Sequence, residues 1–205
     1  MKPIFSILWV TLAFLAGRDA RAQDMPRLGL TMGYPAAVGV IWNVADRLAL
    51  RPEVNFSKSS VESSGSDILG PAPILTNDAT QVGVGLSALV YFAQWDAVRA
   101  YVSPRFTYSR SSTSTNPGST VLPSATTEAT GNAYATTGSF GAQGSLGRHF
   151  GVFGEIGAGF TSSSTTSNTT LQTITSGGIP IAAVRSESHT HTWSIRTGAG
   201  VIFYF

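Results

Sequence analysis

Residues 192–205 read Thr-Trp-Ser-Ile-Arg-Thr-Gly-Ala-Gly-Val-Ile-Phe-Tyr-Phe and alternate with a period of two up to the last position. Trp193, Ile195, Thr197, Ala199, Val201, Phe203 and Phe205 fall on one side, against Arg196, Gly198, Gly200, Ile202 and Tyr204 on the other. Terminal residues of a soluble domain usually fray into water, and an unpaired apolar strand invites aggregation. A strand that closes a barrel in lipid escapes both penalties. The pattern points to a location far more than to a task, and it names no substrate.

The opposite end of the sequence agrees. Lys2 supplies a positive start, residues 4–16 form an apolar run shorter than the ~20 residues that span a bilayer, and Ala20-Arg21-Ala22 is a small-x-small cleavage pattern before Gln23. Residues 1–22 are therefore expected to be a cleaved export signal and residues 23–205 the folded domain. This changes the charge argument. The sequence has 13 Lys+Arg and 11 Asp+Glu, but without Lys2, Arg18, Arg21 and Asp19 ten of each remain. The basic balance belongs to the export segment, and there is no nucleic-acid footprint. With no cysteine, disulfides, thiol nucleophiles and thiolate metal sites are excluded.

Past residue 22 no stretch is long and apolar enough for a membrane helix, which leaves strands. Val82, Val84, Leu86, Ala88, Val90 and Phe92 alternate with polar or small neighbours, as do Leu48, Leu50, Pro52, Val54 and Phe56. The same holds for Ala100, Val102, Pro104, Phe106 and Tyr108, and for Val152, Gly154, Ile156, Ala158 and Phe160. Residues 134–146 carry a weaker version with Phe140 and Leu146.

The connections come in two kinds. Short polar ones fall at 43–47, 94–98 and 147–149, and long Ser/Thr-rich ones are expected at about 59–79, 111–131 and 162–188. Short turns alternating with long loops match a transmembrane barrel, with turns facing the periplasm and loops facing outside. Parity then decides the first segment. Counted as one strand, residues 27–43 give seven strands, whereas single-chain barrels are even. Gly33-Tyr34-Pro35-Ala36 is a turn-forming break, which yields strands at 27–32 and 37–43 and a total of eight. The expected fold is all-β: an eight-stranded antiparallel up-and-down transmembrane β-barrel.

A barrel of this size has an interior filled by side chains. The register places Arg51, Glu53, Arg105, Gln143, Glu155 and Arg196 inside, where opposite charges can pair; facing lipid at midplane, an Arg would cost about 2–4 kcal/mol. These six are the expected lumen network, a structural plug and not a conduction path. Trp42, Phe92, Trp95, Phe150, Phe203 and Phe205 gather at the short-turn end, where an interfacial girdle belongs. Pro52 and Pro104 remove ladder donors, so a bulge or a missing bond is expected near each.

These features carry a resemblance. The export signal, the segment Gly39-Val40-Ile41-Trp42-Asn43-Val44-Ala45-Asp46-Arg47-Leu48-Ala49-Leu50-Arg51-Pro52-Glu53-Val54, and the end Gly200-Val201-Ile202-Phe203-Tyr204-Phe205 are similar to the small outer-membrane β-barrel proteins of Gram-negative bacteria, of the OmpA-like and OmpX-like eight-stranded type. The resemblance implies a cell outer-membrane location reached through the periplasm, and outer-membrane lipid as surroundings. It implies recognition by the barrel-assembly machinery through Gly200, Phe203 and Phe205. It implies no single task, because the family includes adhesins, structural anchors and proteins without known activity.

Some such barrels act on lipid. A hydrolytic triad needs a base beside a hydroxyl nucleophile and an acid to orient it. The His-x-Ser pattern of lipid A deacylases is absent, since His149 precedes Phe150-Gly151 and His191 precedes Thr192-Trp193. Glu187, His189 and His191 share a strand face, but same-face neighbours stand about 7 Å apart, which strains joint ligation of a metal. The expectation is a non-enzymatic barrel without catalytic residues, cofactor or metal, in a surface, envelope-structural or adhesion-type role. The alternatives are a lipid-modifying barrel enzyme and a soluble secreted β-sandwich, whose core would be the Val/Leu/Phe faces.

Overall fold

The alternation along the sequence becomes a ring of antiparallel strands. The computed structural model describes residues 28–34, 37–63, 66–67, 70–71, 75–117, 124–172 and 181–205; the expected export segment and the Pro35-Ala36 break lie outside them. The strands are β1 (Leu28–Tyr34), β2 (Ala37–Ala45), β3 (Leu48–Ser63), β4 (Ser66–Asp67), β5 (Gly70–Pro71), β6 (Leu75–Trp95), β7 (Val98–Pro117), β8 (Ser124–Ser145), β9 (Phe150–Gln172) and β10 (Ile181–Tyr204). Eight of them close a barrel in the order β1-β10-β9-β8-β7-β6-β3-β2, while β4 and β5 form a separate small ladder. No helix occurs among the described residues.

Closure rests on the terminal strand. β10 pairs with β1 from Gly29 opposite Tyr204 to Tyr34 opposite Ala199, and the Phe205 amide donates to the Leu28 carbonyl at 3.3 Å. Following register partners from Val201 through Met32, Val38, Val54, Val84, Tyr108, Tyr134 and Ser162 returns to β10 at His191, ten residues from the start. Eight strands with that stagger tilt by about 40° and leave a bore that side chains fill.

Burial excludes the sandwich. Among the described residues, thirty-two large apolar side chains stand exposed, whereas the buried hydrophobics are only Ile41, Ala49, Leu89, Tyr91, Tyr101, Ala135, Ile202 and Tyr204. The Val/Leu/Phe faces point outward on every long strand, the inverse of a water-soluble fold. Trp42, Phe92, Trp95, Phe150, Phe203 and Phe205 are exposed beside the short turns. A second aromatic ring, which the sequence alone does not reveal, runs through Phe56, Tyr108, Tyr134, Phe160 and Trp193; Tyr108 meets Tyr134 at 5.0 Å and Phe160 meets Trp193 at 5.2 Å. Trp193 and Phe203 lie ten residues apart on β10, a climb of roughly 25 Å at that tilt. This matches the height of the apolar band of such barrels.

The short turns fall at Asp46-Arg47, at Asp96-Ala97 and across residues 146–149. Asp96 adopts φ 28°, a left-handed conformation that Asp tolerates better than most residues. The Tyr91 amide donates to the Arg47 carbonyl at 2.9 Å and the Ser145 amide to the Ala97 carbonyl at 2.8 Å, so each turn is tied to the next strand.

The long connections are shorter than the sequence suggests, because much of their Ser/Thr stretches remains paired. β9 and β10 stay in register from Phe150 opposite Phe203 up to Gln172 opposite Ile181, well above Trp193. Thr suits a pleated strand, and a ladder needs no apolar face once it stands in water. Pairing reaches Ser63 opposite Leu75, Leu75 opposite Pro117, Ser124 opposite Gln172 and Gln172 opposite Ile181. At the prolines, the β2–β3 ladder breaks between Gly39/Glu53 and Trp42/Leu50, and the β6–β7 ladder between Ser87/Arg105 and Val90/Val102. These are the missing bonds expected beside Pro52 and Pro104. The register shifts themselves lie elsewhere, at Asn43/Ala45 and Tyr91/Ala93, near the turns.

Inside, Tyr101 is fully buried and its ring lies over Gly141, where a Cβ would stand 2.5 Å from the ring. Gly141→Ala is expected to displace Tyr101 and destabilise the barrel by about 1–3 kcal/mol. Urea unfolding in lipid vesicles checks this, and a midpoint equal to that of the unmodified protein would refute it.

Candidate functional site: the charged lumen

The interior is built in two tiers by strand parity. On β3, Arg51 and Glu53 are two residues apart and both point inward; Ser87 on β6 faces Arg51, and Arg105 on β7 faces Ser87. The Arg51 guanidinium donates from Nε to Ser87 Oγ at 3.1 Å and from Nη2 to Glu155 Oε1 and Oε2 at 3.0 and 3.2 Å. Its Nε also lies 3.9 Å from Glu53 Oε2, and Glu53 pairs in turn with Arg105. In the ring order β3 and β9 are four places apart, so the Arg51–Glu155 pair spans the bore from wall to opposite wall. Gly198, opposite Glu155 on β10, supplies the space: a Cβ there would stand 3.0 Å from Glu155 Cγ.

Below this, toward the short turns, aromatic rings fill the bore. Tyr91 donates to Gln143 Oε1 at 3.0 Å, the Gln143 amide donates to the Tyr204 hydroxyl, and Tyr91 packs edge-on to Tyr101 at 5.8 Å. Tyr101 donates to Glu155 Oε2 at 3.4 Å and so joins the two tiers. Arg99 lies 3.5 Å above the Tyr91 ring and donates to the Asp46 carbonyl at 2.6 Å. Arg51 sits 5.0 Å from the Phe153 ring. The plane-spanning pair, the rings and the buried Ile41, Leu89 and Ile202 leave no open bore at this level.

Four of the expected residues, Arg51, Glu53, Arg105 and Glu155, are thus one connected network, and Gln143 belongs to the aromatic tier below. Arg196 faces the same lumen but makes no ion pair or hydrogen bond among the described residues. Arg99 and the tyrosines were not in the expected set, although parity with Arg105 puts Arg99 on the inward face. Gly200 turns inward against the Phe153 ring, while Phe203 and Phe205 face outward at the short-turn rim.

The histidines lie apart from this network. His149 Nδ1 is 3.1 Å from the Tyr204 carbonyl oxygen, and His191 stacks on Phe160 at 5.8 Å. Glu187 pairs with exposed Arg185 at 2.6 Å. No group of three or more metal-ligating side chains occurs among the described residues.

A closed ring with an apolar exterior and a charge-paired interior is the architecture of a membrane-spanning barrel. The comparison of folds agrees. A major outer membrane protein from Thermus thermophilus superposes with a TM-score of 0.56 at 14% identity, covering 87% of this chain and 98% of that one. The chain has the fold of an outer-membrane β-barrel protein. CarO of Acinetobacter baumannii is also matched, at a TM-score of 0.42 and 16% identity, over 90% of this chain and 100% of that one. No protein-family model and no curated protein matches the sequence. Barrel closure and the roughly 25 Å apolar band together place the protein in an outer membrane.

Breaking the spanning pair tests the plug. Glu155→Gln leaves Arg51 buried without its main counter-charge and is expected to lower barrel stability by about 3–5 kcal/mol. Replacing both partners, Arg51→Met with Glu155→Leu, is expected to recover most of that loss. Urea midpoints in vesicles decide, and a double variant less stable than Glu155→Gln alone would count against the pairing as the cause.

Proposed function

We propose that this protein is a non-enzymatic barrel of the OmpA-like or OmpX-like type, with an envelope-structural or adhesion-type role and no solute channel. The carrying observation is the Arg51–Glu155 bridge across the bore, backed by the Tyr91–Gln143–Tyr204 chain. In that reading Arg51, Glu53, Arg105, Gln143 and Glu155 hold opposite walls at a fixed separation, and Arg196 faces the same lumen. Gly200, Phe203 and Phe205 serve as the signal for the assembly machinery.

The outer hairpins support a surface role. On β9–β10, the ladder runs twelve residues above Trp193 to Ile181, roughly 30 Å beyond the upper aromatic ring. Residues 161–170 are all Thr, Ser or Asn, and the facing segment carries Arg185, Glu187, His189 and His191. Such a hydroxyl-rich, sparsely charged blade offers hydrogen bonds to an external partner without an apolar patch that would drive self-association. A lipid-hydrolysing reading would need one of the histidines hydrogen-bonded to a nucleophilic hydroxyl. Among the described residues, His189 and His191 face Ser164 and Ser162 across the ladder without such a bond, His191 stacks on Phe160, and His149 is held at the Tyr204 carbonyl.

Three measurements test this reading together. The protein is expected in the outer-membrane fraction, to migrate differently on gels before and after boiling, and to give no large conductance steps in planar bilayers. Large, stable channels would overturn the plug, and recovery in the soluble fraction would overturn the membrane assignment.

A further inference from the structure

The barrel wall has uneven height and is lowest at β1 and β2. β1 ends at Tyr34, paired with Ala199, and β2 begins at Ala37, paired with Asn55. Their outer neighbours continue, β10 upward to Ile181 and β3 to Ser63. Among the described residues, β10 above Ala199 therefore has no ladder on its β1 side, and β3 beyond Asn55 none on its β2 side. Trp193, in the upper aromatic ring, stands six residues beyond Ala199, a height of roughly 15 Å. The gap thus opens inside the apolar band.

Unpaired backbone edges are not tolerated against hydrocarbon; they persist only where they line a polar or water-filled cavity. Such a cavity is present. One space of 250 Å³ is lined by Tyr34 and the outward-facing Ile195 on one side and by Arg105, Glu155 and Arg196 on the other. A second, of 340 Å³, touches Asn55 and the outward-facing Phe56 at the β3 edge and again reaches Arg105 and Arg196. Both spaces include residues of the outer face and of the lumen, and they lie against the unpaired β10 and β3 edges.

The charge of this chamber is unbalanced. Arg51 and Arg105 are matched by Glu155 and Glu53, which leaves Arg196 as a surplus cation. The rim is apolar: Tyr34 and Ile195, which line the first space, are 75 and 80% exposed.

We propose that the gap above the β1–β2 hairpin is a lateral portal in the outer half of the membrane. Through it the anionic head of a single-chain amphiphile, a carboxylate or a phosphate monoester, enters the upper lumen and is held by Arg196 and Arg105. Its chain stays outside against Tyr34 and Ile195. The head satisfies the surplus positive charge and hydrates the unpaired edges, and the Arg51–Glu155 bridge below stops it from passing through. The site is a closed-ended pocket for a lipid head, which rests on the membrane placement given above.

The test uses the barrel of residues 23–205, which leaves out Trp9, refolded in zwitterionic micelles, with Trp42→Phe and Trp95→Phe so that Trp193 reports alone. The probe is a tail-brominated hexadecanoic acid, which quenches a neighbouring indole. Saturable quenching is expected. Arg196→Gln should weaken it by about tenfold or more, Arg196→Lys should retain most of it, and Thr197→Phe, which fills the portal from outside, should abolish it. Hexadecyl phosphate should compete, whereas inorganic phosphate at the same concentration should not. Unboiled gel mobility verifies that each variant is folded, and Thr197→Phe serves if Arg196→Gln is not. Unchanged affinity in Arg196→Gln, equal competition by hexadecyltrimethylammonium, or full displacement by inorganic phosphate would overturn the portal. Failure of membrane fractionation would overturn the membrane placement itself, a separate outcome.

Discussion

Hydrocarbon offers no partner to a backbone amide or carbonyl, and every other property of this barrel follows from meeting that condition. A helix satisfies it within one segment, but past residue 22 this chain has no stretch apolar enough for a spanning helix. Strands must then find partners in one another, and only a closed ring leaves none over. The β10–β1 ladder from Gly29/Tyr204 to Tyr34/Ala199 is the step that closes the ring at the level of the Arg51–Glu155 bridge and below. It also explains why the terminal strand is apolar on alternate residues down to Phe205: its outer face lies in lipid and its inner face in a packed bore. The short turns at Asp46-Arg47 and Asp96-Ala97 return the chain within the aromatic girdle, where backbone groups begin to meet water again.

Closing eight strands with a stagger of ten fixes the bore, and the bore fixes what can fill it. Near the short turns it is filled by large rings, Tyr91, Tyr101, Phe153 and Tyr204, and the three tyrosine hydroxyls bond to Gln143 or Glu155. At mid-height the filling is ionic. A buried ion pair is weak evidence for stability in general, because desolvation offsets the attraction. Its value here is geometric. Arg51 and Glu155 lie 104 residues apart in sequence and on opposite walls, so their bond sets the separation of walls that no ladder joins directly. Glu53 and Arg105 extend the same brace sideways to β7.

Face assignment was legible in the sequence because a period of two is strict in a strand. Val54, Val84, Phe106, Ile156 and Val201 point outward as their alternation requires, while Arg51, Glu53, Arg105 and Glu155 meet inside. Depth was not legible. Knowing that Phe56, Tyr108, Tyr134, Phe160 and Trp193 form one ring requires the register between strands, which no single strand encodes. The same gap in information misplaced the loop boundaries. Ser/Thr runs such as residues 161–170 look like loop by composition, yet their backbone pairs as readily as that of the apolar segments below. The prolines interrupt their ladders as a missing donor requires, but the register shifts fall at Asn43/Ala45 and Tyr91/Ala93, where strands leave the turns and added twist is cheapest. Arg196 shows the limit of parity, which gives a direction and not a partner.

The differing strand lengths follow from where water begins. Above the upper aromatic ring an open strand edge is hydrated, so β3 and β6 to β10 can extend into polar blades with no need for a closed ring. Below it the ring must be complete or its edges must face a polar space. The seven-residue β1 and nine-residue β2 stop short of that boundary, while β10 passes it on the same side. A wall that is complete around the Arg51–Glu155 brace and incomplete beside Arg196 divides the interior into a rigid lower part and a reachable upper part. In the proposed reading the brace stops passage across the membrane, and it also gives the upper chamber a floor with a fixed charge pattern. The residues that hold the barrel shut are therefore the ones that define what its open side can receive.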